Sequence, residues 1–483
     1  MPVIIIKEPS TGKIEYEGGY SYPDGPFWDE NGYIPAAQKY INGVFFMSDH
    51  PPLGKLIMSL GEVLINPNEN IDTSSFLTTD FIHTFPDNYS FAGMRFFPVL
   101  FGALSSVLFF LILSRLSVSI HYAFAFTSLY LFDNALLVHF RGAMIDGIQI
   151  FFILLSILYF LIIVQKRGIR SPMEYFILGS LIGSAISVKF NGAILLLLFI
   201  FLAFEDFRPI IMKLRFTWKS TIDFFTKAVL SASGVLLVFF ISYYIHFSVA
   251  SHVEGNRLYF ASAQYQSILK SKTTANPVHF FMMLRDSFAY IENYEKGVPQ
   301  WDPAKINENG SPPYAWPFGY KSINYRWSKS GGSVAYLYLQ GNPLIWFSGL
   351  FGIFMATIFV SGVFLFKTPA EDRMDFRMIF YFTVLYFAYM GLMLTIKRVM
   401  YLYHYFIPLL FSLILAFMIF QHFFRKEMKT NDRILRNISI IFFIEIFCVF
   451  LFFSPLSYFI PMDSISFIKR SWFKVWGLVP VNL

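Results

Sequence analysis

The sequence has little charge and almost no cysteine. Only 14% of its 483 residues are Asp, Glu, Lys or Arg, whereas 55% are apolar and 20% are aromatic. Soluble globular domains carry about 25% charged residues, so the low charge excludes that class. The one cysteine, Cys448, excludes an intrachain disulfide, and because it lies inside a long apolar run we interpret it as a helix-packing residue. The composition therefore indicates a membrane protein.

Short alternating segments of the kind found in transmembrane β-barrels are also absent. Apolar runs of about 20 residues, the length that crosses a bilayer as a helix, recur instead. We therefore predict an all-α polytopic membrane protein with ten spanning helices, of which the two on either side of Lys189 are short for a full crossing. The predicted segments are 91–114, 120–139, 143–164, 174–188, 190–205, 228–248, 343–366, 377–396, 402–424 and 436–459.

The distribution of Lys and Arg predicts the side of the membrane that each loop occupies. One set of alternate connections holds seventeen of these residues, and the opposite set of short connections holds four. Because cytoplasmic loops are enriched in Lys and Arg, the first set is predicted to be cytoplasmic, and it explains the net charge of +7 without a nucleic-acid partner. The predicted regions are an outer segment 1–90, a transmembrane bundle 91–248, a large outer loop 249–342, a second transmembrane region 343–460 and an outer tail 461–483.

This topology places an acidic pair and several cations on the outer side. Asp29 and Glu30 precede the first predicted helix. Four cations lie at outer helix ends, namely Arg141, Lys189, Lys397 and Arg398. Guanidinium and ammonium groups suit an anionic phosphate, and a carboxylate suits a general base. Two simpler explanations stay open, because each cation could only reach the lipid headgroups and the acidic pair could be a solvated loop.

Several stretches resemble one family of enzymes. Residues 28–57, "WDENGYIPAAQKYINGVFFMSDHPPLGKLI", resemble the first outer loop of the protein O-mannosyltransferase family, which has an Asp-Glu pair and a His-Pro-Pro-Leu-x-Lys element. Residues 131–152, "LFDNALLVHFRGAMIDGIQIFF", resemble that family's Asn, Arg and Asp pattern. Further stretches resemble later landmarks in the same order: "SAISVKFNGA", "YYIHFSVA", "SPPYAWP", "YLQGNPLIWFSGL", "RVMYLYHYFIPLL" and "FFSPLSYF". The resemblance covers residues 26–460.

The resemblance implies a role for each matching residue. Asp29 would be the general base, and Glu30 would hold either the loop or the acceptor. Arg141 and Arg398 would bind the lipid phosphate, although the neighbouring Lys397 leaves open which of the two cations contacts it. The further candidates for donor binding are His50, Lys55, Lys189 and Lys397, and the supporting residues are Asn134, Asp146 and His404. Two alternatives remain: His50 could pin the Pro51-Pro52 turn, and Asp146 could pair with Arg141.

The family resemblance also implies a fold and a reaction. It implies a type C glycosyltransferase with eleven spanning helices, so we expect that a first helix is missing from the sequence. The outer loop 249–342 is too short for the β-trefoil module of fungal and animal members, which favours a bacterial inner-membrane enzyme with a periplasmic active site. The expected reaction is inverting transfer of mannose from a polyprenyl-phosphate-linked donor to Ser or Thr of exported proteins. A dimer is possible.

Two other functions remain open. A related lipid-carrier transferase could act on a lipid or glycan acceptor, and a transporter could use the ionisable groups as an ion path. The transporter is less favoured because the groups identified lie at one membrane face and not at the midplane. No cofactor is firmly implied, and a divalent cation is possible but not required, because the cations already supply the positive charge. No residues have zinc or calcium ligand spacing. Residues 50–65 are predicted to form an amphipathic surface helix that directs Lys55 toward phosphate or headgroups.

Overall fold

A computed structural model gives the fold of the protein. It describes residues 4–7, 14–17, 29–166, 168, 170–213, 217–305, 310–367 and 373–481. The start of the Asp-Glu stretch, residues 26–28, lies outside the described residues, as does most of the predicted outer segment that precedes it.

The predicted outer segment folds into short elements before the first spanning helix. Strands β1 (Ile4–Lys7) and β2 (Ile14–Glu17) form an antiparallel hairpin, and helices α1 (Glu30–Ile41), α2 (Leu53–Ile65) and α3 (Ser74–Leu77) follow. Helix α2 confirms the predicted helix after the proline pair. Its Lys55 is only 4% exposed and points into the protein, because Asp49, Ser48 and the ring of Tyr33 surround the ammonium group.

The remaining elements form the membrane bundle and residues 249–342, the loop that is predicted to lie on the outer side and is called the outer loop below. The first transmembrane region contains α4 (Ala92–Leu116), α5 (Ile120–Leu131), α6 (Asn134–Phe140), α7 (Asp146–Gln165), α8 (Pro172–Val188), a 3₁₀ segment (Phe190–Leu196), α9 (Leu197–Lys213) and α10 (Trp218–Val249). The outer loop contains α11 (Ala263–Lys270), α12 (Phe280–Gly297), 3₁₀ segments Pro277–His279 and Pro313–Phe318, and strands β3 (Ile323–Ser330) and β4 (Ser333–Leu339). The second region and tail contain α13 (Pro343–Leu365), α14 (Arg373–Leu394), α15 (Phe406–Thr430), α16 (Arg433–Ser457), α17 (Ser464–Ile468) and 3₁₀ segments Leu402–Tyr405 and Lys474–Trp476.

The predicted spanning segments correspond to helices of the structure. Among the described residues, eight helical spans are long and apolar enough to cross a membrane, α5 and α6 form one bent pair, and α8 is a shorter apolar helix of 17 residues. The spanning segment predicted for 120–139 corresponds to this pair, in which the chain bends by 62° between α5 and α6. Asp133 explains the bend: its carboxylate accepts from the Leu136 amide and so caps α6. The chain is an integral membrane protein.

Helix α8 packs against α10 with little space between the two backbones. A Cβ atom on Gly179 would lie 2.4 Å from the Ser231 carbonyl oxygen, and one on Gly234 would lie 2.3 Å from the Phe176 carbonyl oxygen. Glycines of this kind allow membrane helices to approach closely. Helices α10, α13 and α16 lie at the periphery, since only 22% of the apolar part of each is buried. Cys448 of α16 is exposed, so its interpretation as a helix-packing residue is wrong.

The C-terminal tail holds the β3–β4 hairpin in place. Val334 and Met462 exchange two backbone hydrogen bonds of 2.9 and 3.0 Å. The amides of Lys321 and Ser322, just before β3, donate to the carbonyls of Val475 and Trp476. A second set of buried apolar residues lies between the hairpin, α16 and the tail. The tail therefore fixes the hairpin, and with it Tyr325, over the end of the bundle.

The predicted cytoplasmic end of the bundle is closed by ion pairs. Asp206 of α9 pairs with Arg170 and with Lys227 of α10, whose Nζ lies 2.8 Å from Asp206 Oδ2. Lys227 Nζ also lies 2.8 Å from Asp223. Two further pairs at this end join α14 to α9 and to α15, namely Arg377–Glu205 and Arg425–Asp375. These charges face one another and neutralise one another.

Candidate active site

A cavity lined by charged, aromatic and aliphatic residues opens at the other end of the bundle. It has a volume of about 1090 Å³ and lies between α1, the beginning of α7, the residues that follow α8, the end of α12 and the segment before α15. Seven of the predicted site residues line it: Asp29, His50, Lys55, Asp146, Lys189, Arg398 and His404. The fold thus brings together groups from segments that are far apart in sequence.

Asp29 lies immediately before α1 and faces this cavity. Its carbonyl oxygen accepts from the amides of Gly32 and Tyr33, at 3.0 and 3.1 Å, which fixes the backbone. Its carboxylate does not cap the helix and makes no hydrogen bond within the described part of the chain. Burial raises the pKa of Asp29 above its ordinary value, and the nearby charge of Lys189 acts in the opposite direction. An uncommitted carboxylate with a raised pKa suits a general base.

Glu30, the neighbour of Asp29, points away from the cavity. It is 0% exposed, and its two oxygens accept from Nε and Nη2 of Arg95, both at 2.7 Å. Glu30 also accepts from the amide of Ala143 at 2.5 Å. These contacts join α1 to α4 and to the loop before α7. Of the two roles that the sequence left open, the geometry supports holding the loop.

Lys189 belongs to a chain of polar contacts that begins in the wall of the cavity. It follows α8 in an extended conformation, and its Nζ lies 2.8 Å from both oxygens of Asp146. Asp146 Oδ2 is also 3.1 Å from His139 Nε2, and His139 Nδ1 is 2.5 Å from the Tyr325 hydroxyl. The expected pairing of Asp146 with Arg141 is therefore wrong, because Asp146 faces Lys189 and His139 from the first turn of α7.

A second cluster comes from the loop before α2. Asp49 Oδ1 lies 3.3 Å from Lys55 Nζ, and Asp49 Oδ2 lies 3.6 Å from His50 Nε2. Burial lowers the pKa of His50 to about 4, so His50 is neutral at pH 7. His50 can therefore exchange hydrogen bonds in the cavity but does not add a positive charge there. Sequence reasoning missed Asp49, the acidic partner of both residues.

The structure distinguishes the two adjacent cations before α15. Arg398 lines the cavity, and its Nε lies 2.8 Å from Glu295 Oε2 of α12. Lys397 is exposed and does not line the cavity, while its carbonyl accepts from the Trp301 amide. Of the two, Arg398 is the one placed to contact a ligand in the cavity.

His404 forms part of the cavity wall near Lys189. Its ring stacks on Tyr403 with a centroid separation of 4.5 Å, and on Trp316 with a separation of 6.0 Å. Trp316, from the "SPPYAWP" stretch, is completely buried and donates to Ser311. The Lys189 ammonium lies 5.4 Å from the centre of the Tyr403 ring. The predicted supporting role of His404 fits this position.

Arg141 and Asn134 lie away from the cavity. Arg141 Nη2 donates to the carbonyl of Ser457, and its guanidinium carbon lies 4.9 Å from the centre of the Tyr458 ring. Asn134 Nδ2 donates to the Ser457 hydroxyl at 2.9 Å and to the Phe450 carbonyl at 3.3 Å. Both side chains are turned toward the end of α16, which explains why neither lines the cavity. The predicted contact of Arg141 with phosphate stays a prediction.

Sequence reasoning also missed a cluster at the rim of the cavity. Lys39 of α1 is almost completely buried and pairs with Asp80, and its Nζ lies 3.1 Å from the Tyr259 hydroxyl. Asp80 also accepts from Tyr259 at 2.5 Å and from Arg257 at 3.1 Å. The signal that the sequence offered for this cluster was a lysine within the short helix α1. Its partner lies 41 residues away and has no recognisable motif.

Within the described residues, no group of three or more His, Cys, Asp or Glu could hold a metal ion.

The fold resembles that of a solved membrane glycosyltransferase. The protein O-mannosyltransferase Pmt1-Pmt2 complex of S. cerevisiae, solved bound to the sugar donor, matches with a TM-score of 0.77 and 16% identity. The match covers 95% of this chain and 90% of that chain. The architecture is therefore the type C glycosyltransferase fold that the sequence predicted.

Two family models match the chain. Residues 19–251 match the model described as Dolichyl-phosphate-mannose-protein mannosyltransferase, and residues 292–476 match the C-terminal four TMM region of protein-O-mannosyltransferase. The chain belongs to the protein O-mannosyltransferase family.

Curated relatives are similar over part of their length. Protein O-mannosyl-transferase 2 of Drosophila melanogaster is 28% identical over 302 residues, which cover 57% of this chain and 36% of the fly protein. Dolichyl-phosphate-mannose--protein mannosyltransferase 1 of Candida albicans is 26% identical over 52% of this chain and 28% of its own length. The matched regions therefore span only about a third of these relatives.

Proposed function

We propose that the protein transfers mannose from a polyprenyl-phosphate-linked donor to Ser or Thr hydroxyls of exported proteins. One observation carries this proposal: the uncommitted Asp29 carboxylate lines the same cavity as Lys189 and Arg398. A carboxylate facing two cations provides both a base for an acceptor hydroxyl and positive charge for a departing phosphate. The family relatives, whose names refer to dolichyl-phosphate-mannose and protein acceptors, support the same donor and acceptor classes.

The proposed reaction is a single displacement. Asp29 takes the proton of the acceptor hydroxyl as its oxygen attacks the anomeric carbon of mannose. The bond between that carbon and the phosphate oxygen breaks, and the phosphate leaves with the bonding electrons. Arg398 can grip two phosphate oxygens, whereas Lys189 supplies a point charge. A β-linked donor then gives an α-linked product, since retention would need a covalent intermediate.

The proposed location is the inner membrane of a bacterium, with the cavity facing the periplasm. The excess of Lys and Arg in the connections at the opposite end supports this orientation. A donor already carried on a lipid at the outer face would enter the cavity from the membrane. The site would then use the lipid-linked sugar as its donor in place of a cytosolic nucleotide sugar.

The test is a transfer assay with purified protein and radiolabelled polyprenyl-phosphate mannose. A Ser/Thr-rich peptide should be labelled, and a lipid or glycan acceptor should not. Asp29→Asn should lower the turnover by about two to four orders of magnitude, as loss of a general base does, while donor binding is retained. Glu445→Gln, far from the cavity on α16, is the matched carboxylate-to-amide control and should keep near-normal turnover. Label in the lipid or glycan acceptor alone would contradict the proposed acceptor.

A further inference from the structure

Two buried residues lie directly behind the charged wall of the cavity. His139 is at the end of α6 and Tyr325 is in β3, and neither lines the cavity. The His139 ring lies between Tyr325 and Asp146: its Nδ1 is 2.5 Å from the Tyr325 hydroxyl, and its Nε2 is 3.1 Å from Asp146 Oδ2. Asp146 in turn faces Lys189, and these two residues do line the cavity. Sequence reasoning identified Asp146 and Lys189 but neither His139 nor Tyr325.

The β3–β4 hairpin is irregular at Tyr325. Asn324 pairs with Tyr338, and Arg326 pairs with Leu337, so β3 has one residue more than β4 at this point. Such a β-bulge re-aims side chains and is common next to active sites. The side-chain oxygen of Asn324 accepts from the Arg326 amide at 3.1 Å and closes the bulge. The bulge therefore lies where the hairpin meets the end of α6.

The surroundings of His139 determine which of its ring nitrogens carries hydrogen. Burial raises the pKa of Tyr325 well above its ordinary value, and nearby carboxylate charges act in the same direction, so the hydroxyl keeps its proton and can donate to Nδ1. The Asp146 carboxylate accepts from Lys189 and can only accept, so Nε2 carries the hydrogen that faces it. The ring plane is fixed as well, because Tyr403 stacks on it with a centroid separation of 5.1 Å.

We infer that Tyr325 and His139 are positioning residues for Lys189. This inference rests on the proposed function, in which Lys189 supplies positive charge to the departing phosphate. The hydrogen bond at one nitrogen of a histidine sets the protonation of the other, so Tyr325 selects the His139 tautomer that suits Asp146. Asp146 then holds the Lys189 ammonium at the cavity wall. Without the hydroxyl, His139 is free to turn a lone pair toward the Asp146 carboxylate, and the repulsion displaces Asp146 and Lys189 together.

Transfer assays at equal amounts of folded protein test this positioning role. Tyr325→Phe keeps the ring and should lower turnover by about tenfold to 100-fold, as a displacement of about 1 Å does. The matched control is Tyr336→Phe, which removes the hydroxyl of another buried tyrosine of the hairpin, one that accepts from the Val481 amide of the tail. This control should keep turnover within about twofold, because its hydroxyl belongs to a separate set of contacts.

His139 variants test whether the contacts act as one chain. His139→Leu should lower turnover about as much as Tyr325→Phe, whereas His139→Gln should stay within about threefold of the wild type, because an amide can accept from Tyr325 and donate to Asp146. The double variant His139→Leu, Tyr325→Phe should be no slower than His139→Leu alone, since residues that act as a unit are not additive. Independent losses that multiply in the double variant would contradict the chain.

The tautomer can be measured without any transfer activity. Solid-state NMR of protein with isotope-labelled histidine in lipid vesicles distinguishes protonated from unprotonated ring nitrogens, and the signals that His139→Gln removes belong to His139. We expect hydrogen on Nε2 alone in the wild type and in Tyr336→Phe, and at least half of the signal with hydrogen on Nδ1 in Tyr325→Phe.

The two measurements separate this inference from the proposed function. A wild type that transfers no mannose, with the expected tautomer change in Tyr325→Phe, would contradict the proposed function and leave the contact between Tyr325 and His139 in place. An active wild type would overturn the inference if Tyr325→Phe kept normal turnover or the Nε2 tautomer, or if wild-type His139 carried hydrogen on Nδ1.

Discussion

Both ends of the helix bundle bury charged groups, but they do so in different ways. At the predicted cytoplasmic end, Lys227 is 3% exposed and is neutralised by Asp206 and Asp223. At the other end Lys189 is 8% exposed and also pairs with a carboxylate, yet it lines a cavity of about 1090 Å³ together with Asp29. A buried charge therefore does not identify a functional site by itself. The distinguishing feature is a charge that remains directed at space a ligand can occupy.

The difference between the two ends has an energetic cause. Removing a charge from water costs several kcal/mol, and a partner at hydrogen-bond distance compensates only part of that cost. The closed end meets this cost with ion pairs that link α9 to α10 and to Arg170, just before α8. The open end leaves the Asp29 carboxylate without a hydrogen bond to any residue that the structure describes, which is unfavourable unless a ligand completes the arrangement. Its polar groups are therefore available for substrate.

Replacement of the buried lysines Lys189 and Lys227 should have the largest effects and should distinguish the role of the open end from that of the closed end. Lys189→Met should lower the transfer rate by about 100-fold or more, because positive charge next to the departing phosphate is lost. Lys227→Met should keep the transfer rate of each folded molecule within about twofold. It should instead lower the free energy of unfolding by up to about 3 kcal/mol, because Asp206 and Asp223 lose a buried partner.

Both lysine variants should be assayed in detergent at equal amounts of folded protein, with thermal unfolding followed in parallel. Normal transfer by Lys189→Met would remove that residue from the reaction. A large loss of transfer by a fully folded Lys227→Met variant would show that the closed end takes part in the chemistry after all.

Replacement of the adjacent cations Lys397 and Arg398 should also give contrasting results, and the larger of the two effects should be smaller than that of Lys189→Met. Arg398→Lys trades a planar fork for a point charge and should weaken donor binding or lower the rate more than about tenfold. Lys397→Ala, which removes an exposed charge outside the cavity, should change either quantity by less than about twofold. Donor affinity by isothermal titration and rate by radiolabel transfer would separate binding from catalysis. The reverse ranking would exchange the roles of the two residues.

The smallest expected effect is a shift in the pH dependence of transfer. Protonated Asp29 cannot accept a proton, so the rate should fall toward acid as the pH passes the pKa of Asp29. Burial raises that pKa, so the midpoint should lie above the ordinary aspartate value of about 3.9. Lys189→Met removes a charge that lowers this pKa and should move the midpoint to higher pH. Lys227→Met should leave the midpoint unchanged. A midpoint that is the same in the wild type and in both variants would show that a group other than Asp29 causes the fall in rate at acid pH.

Apolar run length alone predicted the spanning segments, because each helix must cover the hydrocarbon layer. It could not predict the bend between α5 and α6. Asp133, which caps α6, also accepts from the Asn342 amide and from Trp346 Nε1, and both partners lie more than 200 residues away. Contacts of this kind depend on tertiary packing. The sequence interpretation therefore found the helices but not their breaks.

The candidate site was predictable to a similar extent. Lys189 and Arg398 were found because charged residues stand out at the ends of apolar helices, whereas Asp29 was found through the resemblance of the Asp-Glu stretch to the family. The contact of Arg141 with Ser457 could not be predicted, because the two residues are 316 positions apart in the sequence. Lys39 was missed for the same reason, since Asp80 becomes its partner only in the folded chain. Residue type and spacing thus identified candidates, whereas packing decided which of them share the cavity.

The assignment of the two ends to opposite sides of the membrane is tested most directly by cysteine labelling in intact cells. Ser271, exposed in the large outer loop, and Thr430, exposed at the end of α15, would each be replaced by cysteine in a Cys448→Ala background that remains active. Ser21, in the predicted outer segment, lies outside the described residues and is a less suitable position. With a membrane-impermeant maleimide, we expect Ser271→Cys to be labelled at once and Thr430→Cys only after permeabilisation. Labelling of Thr430→Cys with protection of Ser271→Cys would contradict the outer cavity and the lipid-linked donor together.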